Sequence, residues 1–126
     1  MKQTIYLAGG FRSNWQNQVI EKLGEKFVFY DPRKHGLADE VSYTVWDLHH
    51  IKHSSILLAY MEATNPSGYG LSLEVGYAKA LFKTVILVDE RSITDKKFSR
   101  YFGMIRVTAD ITFNSLNEAL EYLESF

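Results

Sequence analysis

The apolar positions of this chain follow two alternating rhythms. Short runs rich in β-branched and aromatic residues read as buried strands: QTIYLA at 3–8, KFVFY at 26–30, SILLAY at 55–60, TVILVD at 84–89 and MIRVT at 104–108. Between them the spacing stretches to that of a helix. Over 13–24, Trp15, Val19 and Leu23 recur every fourth residue, with Ser13 a candidate N-cap and Gly24 a stop. A second helix is predicted from about Tyr43 to His53. A third follows the Gly- and Ser-rich loop before residue 71, where Leu71, Val75, Ala78 and Phe82 form one core-facing stripe. The last runs from about 115 to 126, with Leu116, Ala119, Leu120 and Leu123 on one face. Residues 31–42 read as a long polar loop, and 90–103 as a loop or broken helix.

Strands alternating with helices predict an α/β fold. A five-stranded, mainly parallel sheet is expected, in a flavodoxin-like or Rossmann-like three-layer sandwich with right-handed crossovers. No repeat or linker divides the chain, so 1–126 reads as one domain. Ligands of such sheets bind beyond the carboxyl ends of the strands, where the strand order reverses. The loops at 9–14, 31–42, 61–70 and 90–100 are therefore expected to line a site.

Composition removes several classes of function. A net charge of -1 leaves no electrostatic footprint for a nucleic-acid polymer or an anionic membrane. The chain has no cysteine, so disulfides, thiolate catalysis and cysteine-bound metals are excluded. The first apolar run is too short for a signal peptide and no run approaches a membrane span, so a cytoplasmic protein is expected.

Gly9-Gly10 after the first strand could cradle a phosphate on backbone N–H groups. The dinucleotide pattern G-x-G-x-x-G, the Walker pattern and the G-x-S-x-G elbow are all missing. His49 and His53 stand one helical turn apart beside His50, but the zincin motif needs a Glu after its first His. A solvated helix face is the expectation there, with no metal.

Other residues each carry two readings. Glu74, at the edge of the third helix's apolar stripe, is either a helix-start carboxylate or a nucleophile or base held at a cleft mouth. Asp47, four residues before Ile51, is either a surface charge or a site group. Tyr6 either packs in the core or serves the site. Arg12 is either solvated or binds an anion through its planar fork. Trp46 and Tyr69 either pack or stack on a flat ring.

Taken together, Glu74 and Asp47 would suit cleavage of a sugar–base bond. An ionised carboxylate attacks or stabilises the anomeric carbon while a protonated group neutralises the departing base. The positive end of the helix is expected to keep Glu74 ionised.

Three ordered stretches resemble the nucleoside 2-deoxyribosyltransferase family, which includes nucleotide N-glycosidases. They are TIYLAGGF followed by Trp15, DLHHIKHSS at 47–55 and GYGLSLEVGYAKAL at 68–81. The resemblance runs from Thr4 to about Asp89. It implies a flavodoxin-like fold and cleavage of the N-glycosidic bond of a (deoxy)nucleoside or its 5′-monophosphate, with the sugar passing to a second base or to water. It implies Glu74 as the nucleophile forming a covalent glycosyl intermediate, Tyr6 as its orienting partner and Asp47 as the group managing the base's proton. On this reading Gly9, Gly10, Arg12 and Ser67 hold the 5′ end, Gly68 is a further substrate-binding residue, and Phe11 and Trp46 face the base. No cofactor or metal is needed, and a homodimer or larger homo-oligomer is implied, a neighbour completing each site.

Two departures stand out. Gly68 occupies a position where transferase members often carry an acidic residue, and 98–103 lacks the family's C-terminal substrate contacts. Arg12 and Ser67 instead resemble phosphate contacts of the monophosphate-hydrolysing branch, with Ser67 one residue further from Glu74 than in that pattern. The alternative from another class is a nucleotide-sensing module on the same fold without turnover.

Overall fold

The computed structural model describes every residue from Met1 to Phe126. Strands β1 (Gln3–Gly9), β2 (Phe27–Tyr30), β3 (Ile56–Met61), β4 (Thr84–Asp89) and β5 (Ile111–Phe113) form one sheet in the order β2-β1-β3-β4-β5. Every neighbouring pair is parallel. This is the flavodoxin-like order, in which a crevice opens beyond the carboxyl ends of β1 and β3, where the winding reverses. The helices are α1 (Trp15–Leu23), α2 (Glu40–Lys52), α3 (Tyr69–Ala80), α4 (Arg91–Thr94), α5 (Lys96–Tyr101), α6 (Gly103–Thr108) and α7 (Leu116–Glu124). No helix is long and apolar enough to cross a membrane.

Strand alternation assigns each side chain to a layer. Ile5, Leu7, Leu58, Ile86 and Val88 pack on one face against Trp15, Val19 and Leu23 of α1 and the apolar stripe of α7. Tyr6, Ala8, Leu57, Ala59, Val85 and Leu87 face the other way, against Ile51 of α2 and Leu71, Val75 and Ala78 of α3. Each fully buried large side chain contributes about 1.5–3 kcal/mol. The consequence for function is parity. Tyr6 lies on the sheet face covered by α2 and α3, the helices that carry Asp47 and Glu74.

Several expectations from sequence are corrected. MIRVT forms α6, and the fifth strand is ITF at 111–113. Phe102, Ile105 and Ala109, at helical spacing, pack on the α3 side of the core, and that burial overrides the β-propensity of Ile and Val. Phe82 does not continue the α3 stripe but is 95% exposed. The helix ends at Ala80, Phe82 adopts a left-handed φ of 62°, and the Lys83 N–H returns to the Ala78 carbonyl. Helix α2 starts at Glu40, earlier than Tyr43, because the Asp39 carboxylate accepts the Ser42 N–H at 2.9 Å. Ser13 caps nothing, since α1 starts after Asn14 and the Ser13 hydroxyl donates to Glu62 instead. By contrast, residues 90–103 are a broken helix, one of the two forms expected there, split between α4, α5 and the start of α6.

Candidate active site

A cavity of about 260 Å³ lies at the β1 side of the crevice, lined by Tyr6, Gly9, Phe11, Pro32, His35, Leu37, Tyr43, Asp47 and Glu74. Its floor comes from β1. Gly9 leaves that strand with φ 151°, and a Cβ there would sit 2.7 Å from the Tyr60 carbonyl, so only glycine fits. The next carbonyl, of Gly10, accepts from Trp15 Nε1 at 3.0 Å and Gln16 Nε2 at 3.1 Å, which ties the loop to α1. Helix α3 enters through Gly68 at φ 97°, its Cα packed against Met61.

The polar centre joins three elements. The Tyr6 hydroxyl donates to Glu74 Oε2 at 3.0 Å. Asp47 approaches the same pair from α2 and raises the pKa of both partners by its charge. Burial raises the Tyr6 phenol first, and the carboxylates of Glu74 and Asp47 add to this, so Tyr6 is a hydrogen-bond donor across the accessible pH range. Glu74 is pushed up to about 8 by desolvation and then by Asp47, against a lowering contribution from the Tyr6 bond. Asp47 is also raised by desolvation, opposed by Tyr6 and His35. The expected help from the helix dipole does not materialise. Glu74 is in the second turn of α3, beyond the reach of the free N-terminal N–H groups, and burial beside a like charge dominates. Burial thus favours the protonated form of both carboxyl groups, and at Glu74 the Asp47 charge adds to it.

His35 was not among the residues singled out from sequence. The Leu37 N–H donates to its Nδ1 at 2.8 Å, so in the neutral ring the proton is on Nε2. That nitrogen lies 3.5 Å from Asp47 Oδ1, an oxygen otherwise without a hydrogen-bond partner. The ring is also held edge-on by Trp46, with centroids 4.8 Å apart. The only sequence signal was its position in a loop expected to line the site; no motif marks it.

The remaining candidates divide. Tyr6, Gly9, Phe11, Asp47 and Glu74 share the cavity, Phe11 being 58% exposed at its rim. Gly10 stands just behind the lining and Arg12 is exposed without an ion-pair partner. Trp46 does not line the cavity, because it is stacked on His50 at 3.8 Å and braces His35 from behind. Ser67 and Gly68 line a different hollow, with Tyr69, Ser72, Arg91, Phe98 and Tyr101. His49 and His53 lie side by side on the exposed face of α2, and no group of three or more metal-ligating side chains converges anywhere.

The family described as nucleoside 2-deoxyribosyltransferase like matches residues 2–92, and the chain belongs to it. That match spans every residue of the polar centre. Among solved structures, the CMP N-glycosidase of Clostridium botulinum is similar at a TM-score of 0.68 and 18% identity, covering 98% of this chain and 100% of that one. The 2-desoxiribosyltransferase of Leishmania mexicana is similar at 0.73 and 20% identity, covering 98% of this chain and 97% of that one. At these identities the likeness establishes the shared fold. No curated protein sequence matches the chain.

Proposed function

We propose that this protein cleaves the N-glycosidic bond of a (deoxy)nucleoside or nucleoside monophosphate, with Glu74 as the nucleophile. The observation that carries the reading is the Tyr6–Glu74 hydrogen bond in a cavity shared with Asp47 and His35. In the reactive form Asp47 is protonated and Glu74 is ionised. Glu74 attacks C1′ as the bond from C1′ to the base nitrogen breaks. The base leaves with the bonding pair and takes the proton from Asp47, whose new charge faces His35 Nε2–H. In the second half a base or a water attacks C1′, Asp47 recovers a proton from the incoming nucleophile, and Glu74 is released. Tyr6 holds the attacking oxygen in line and helps to ionise it.

Family membership supports this chemistry, as do the names of the two similar structures, one an N-glycosidase and one a transferase. Nothing in the mechanism calls for a metal or cofactor. A homodimer is part of the proposal. Val41, Val45, Tyr69 and Leu73 are exposed on the two helices that carry Asp47 and Glu74, beside a second hollow between those helices that both carboxylates line. A partner seated there would close the site from the outside.

The test is chromatography of deoxynucleosides and their 5′-monophosphates incubated with the protein, with and without a second free base. Release of base, or exchange into a new nucleoside, that disappears in Glu74→Ala supports the mechanism. Turnover retained in Glu74→Ala removes Glu74 as nucleophile. Ligand-induced stabilisation without any base released assigns the protein to nucleotide sensing.

A further inference from the structure

Three of the chain's four histidines lie on α2 or at its C-cap, and the mechanism above uses only the fourth, His35. The three differ in what holds them. His50 is turned inward, stacked on Trp46 with ring centroids 3.8 Å apart and edge-on to Tyr30 at 4.5 Å, while its Nδ1 donates to the Trp46 carbonyl at 2.9 Å. His49 and His53 are both exposed. One helical turn separates them, their ring centroids are 4.4 Å apart and their planes are inclined by 34°. Two imidazoles so placed on one helix face can each direct a nitrogen at a single ion.

His53 is already held as a ligand would be. Its Nδ1 lies 2.8 Å from the His49 carbonyl, which only accepts, so Nδ1 carries the proton and Nε2 of the neutral ring presents a lone pair. The His53 backbone N–H donates to the same carbonyl at 3.2 Å, which fixes main chain and ring on one acceptor. Metal-bound histidines are typically oriented in this way, by a hydrogen bond from the second ring nitrogen. Neither ring nitrogen of His49 is hydrogen-bonded, so that ring is free to turn toward the ion.

The charge balance at this surface is modest. The last turn of α2 favours a cation through its carbonyls. Lys52, exposed and next to His53, opposes one, but its repulsion acts through water and is screened. No carboxylate lies within ion-pair distance of either ring. A donor set of two neutral imidazoles suits copper, nickel or zinc and not magnesium or calcium. The Glu that a zincin motif would require is a base for hydrolysis, so its absence does not bear on holding the ion.

We propose that His49 and His53 chelate one divalent transition-metal ion on the outer face of α2, its remaining positions held by water. The site is separate from the cavity and does not rest on the glycosidic reading. Its place in the fold gives it a structural consequence. Ile51, between the two ligands, is the single buried residue of α2, and Asp47 stands just ahead of the pair. An ion joining 49 to 53 closes the last turn of the helix around that anchor.

The experiment is calorimetric titration of protein without an affinity tag, at about pH 7.5, with nickel, zinc and magnesium salts. Nickel should bind at one ion per chain with Kd on the order of 10 µM, zinc comparably, and magnesium not at all. His49→Gln and His53→Gln, both at exposed positions that urea melts will show to be folded, should each weaken nickel binding at least about tenfold. Nickel at roughly a hundred times Kd should raise Tm by about 5 °C in wild type and leave both variants unmoved. Binding without a rise in Tm would mean that the unfolded chain holds the ion equally well, which overturns a site made by the helix. Affinity that survives both variants and vanishes in His35→Gln would move the ion to the cavity and overturn the proposal. One ion for every two chains would give the open positions to a second copy and overturn the single-chain site. No saturable nickel binding up to about 1 mM would overturn it outright.

Discussion

Replacing Glu74 with Gln should stabilise this protein, and by an amount that depends on pH. The folded-state pKa of Glu74 is pushed up to about 8, against 4.5 for an unperturbed side chain. The folded protein therefore binds the proton more tightly than the unfolded chain, so stability falls as pH rises from the unfolded value through the folded one. At about 1.4 kcal/mol for each pH unit between those values, the ceiling is roughly 5 kcal/mol above pH 8. Glu74 keeps some contact with solvent, which lowers the realised effect to roughly 2–4 kcal/mol. Glutamine is neutral and keeps an acceptor for the Tyr6 hydroxyl, so it removes this dependence. For a chain of this size the difference is on the order of 10 °C in Tm at pH 9 and close to nothing at pH 4.5. Thermal and urea melts of both proteins at pH 4.5, 7 and 9 measure it. A gap that stays constant with pH would refute the argument, because it would mean that the carboxyl is not desolvated on folding.

Three further outcomes follow from the same geometry. Tyr6→Phe removes a hydrogen bond that lowers the Glu74 pKa, so the acid limb of the pH–rate profile should move to higher pH and kcat should fall about 10–100-fold; an unmoved limb would count against the coupling. Asp47→Asn deletes a charge that raises Glu74, so the same limb should move to lower pH. Its rate loss should be smallest for substrates whose leaving group needs no proton, a pattern visible in a leaving-group series. Gly9→Ala forces a methyl group toward the Tyr60 carbonyl in a backbone conformation that alanine avoids, and should cost about 2–4 kcal/mol by urea melt; a loss under 0.5 kcal/mol would mean that the loop relaxes freely.

Much of the architecture is local and so was legible along the chain. Ile5, Leu7, Leu58 and Ile86 occupy strands that their own β-propensity and continuous burial define, and the α7 stripe is visible as helical spacing. Where reading failed, a distant contact outweighed a local preference. MIRVT has strand-forming residues but is helical because Phe102, Ile105 and Ala109 find the α3 side of the core. Glu74 gains nothing from the helix dipole because α3 begins at Tyr69, which puts the carboxylate in the second turn.

The sequence by itself determined the alternation of strands and helices, the glycine exit from β1 and the family to which the chain belongs, because these depend on neighbours a few residues apart and on motif order. Only the tertiary structure decided the chemistry of the centre. Tyr6 reaches Glu74 across 68 positions of chain because strand parity and parallel pairing bring β1 beneath α3. His35 acquires a defined tautomer from the Leu37 N–H and a partner in Asp47 from another element. Desolvation and charge pairing depend on distance in space, and the linear order of residues does not contain that distance until the sheet has closed.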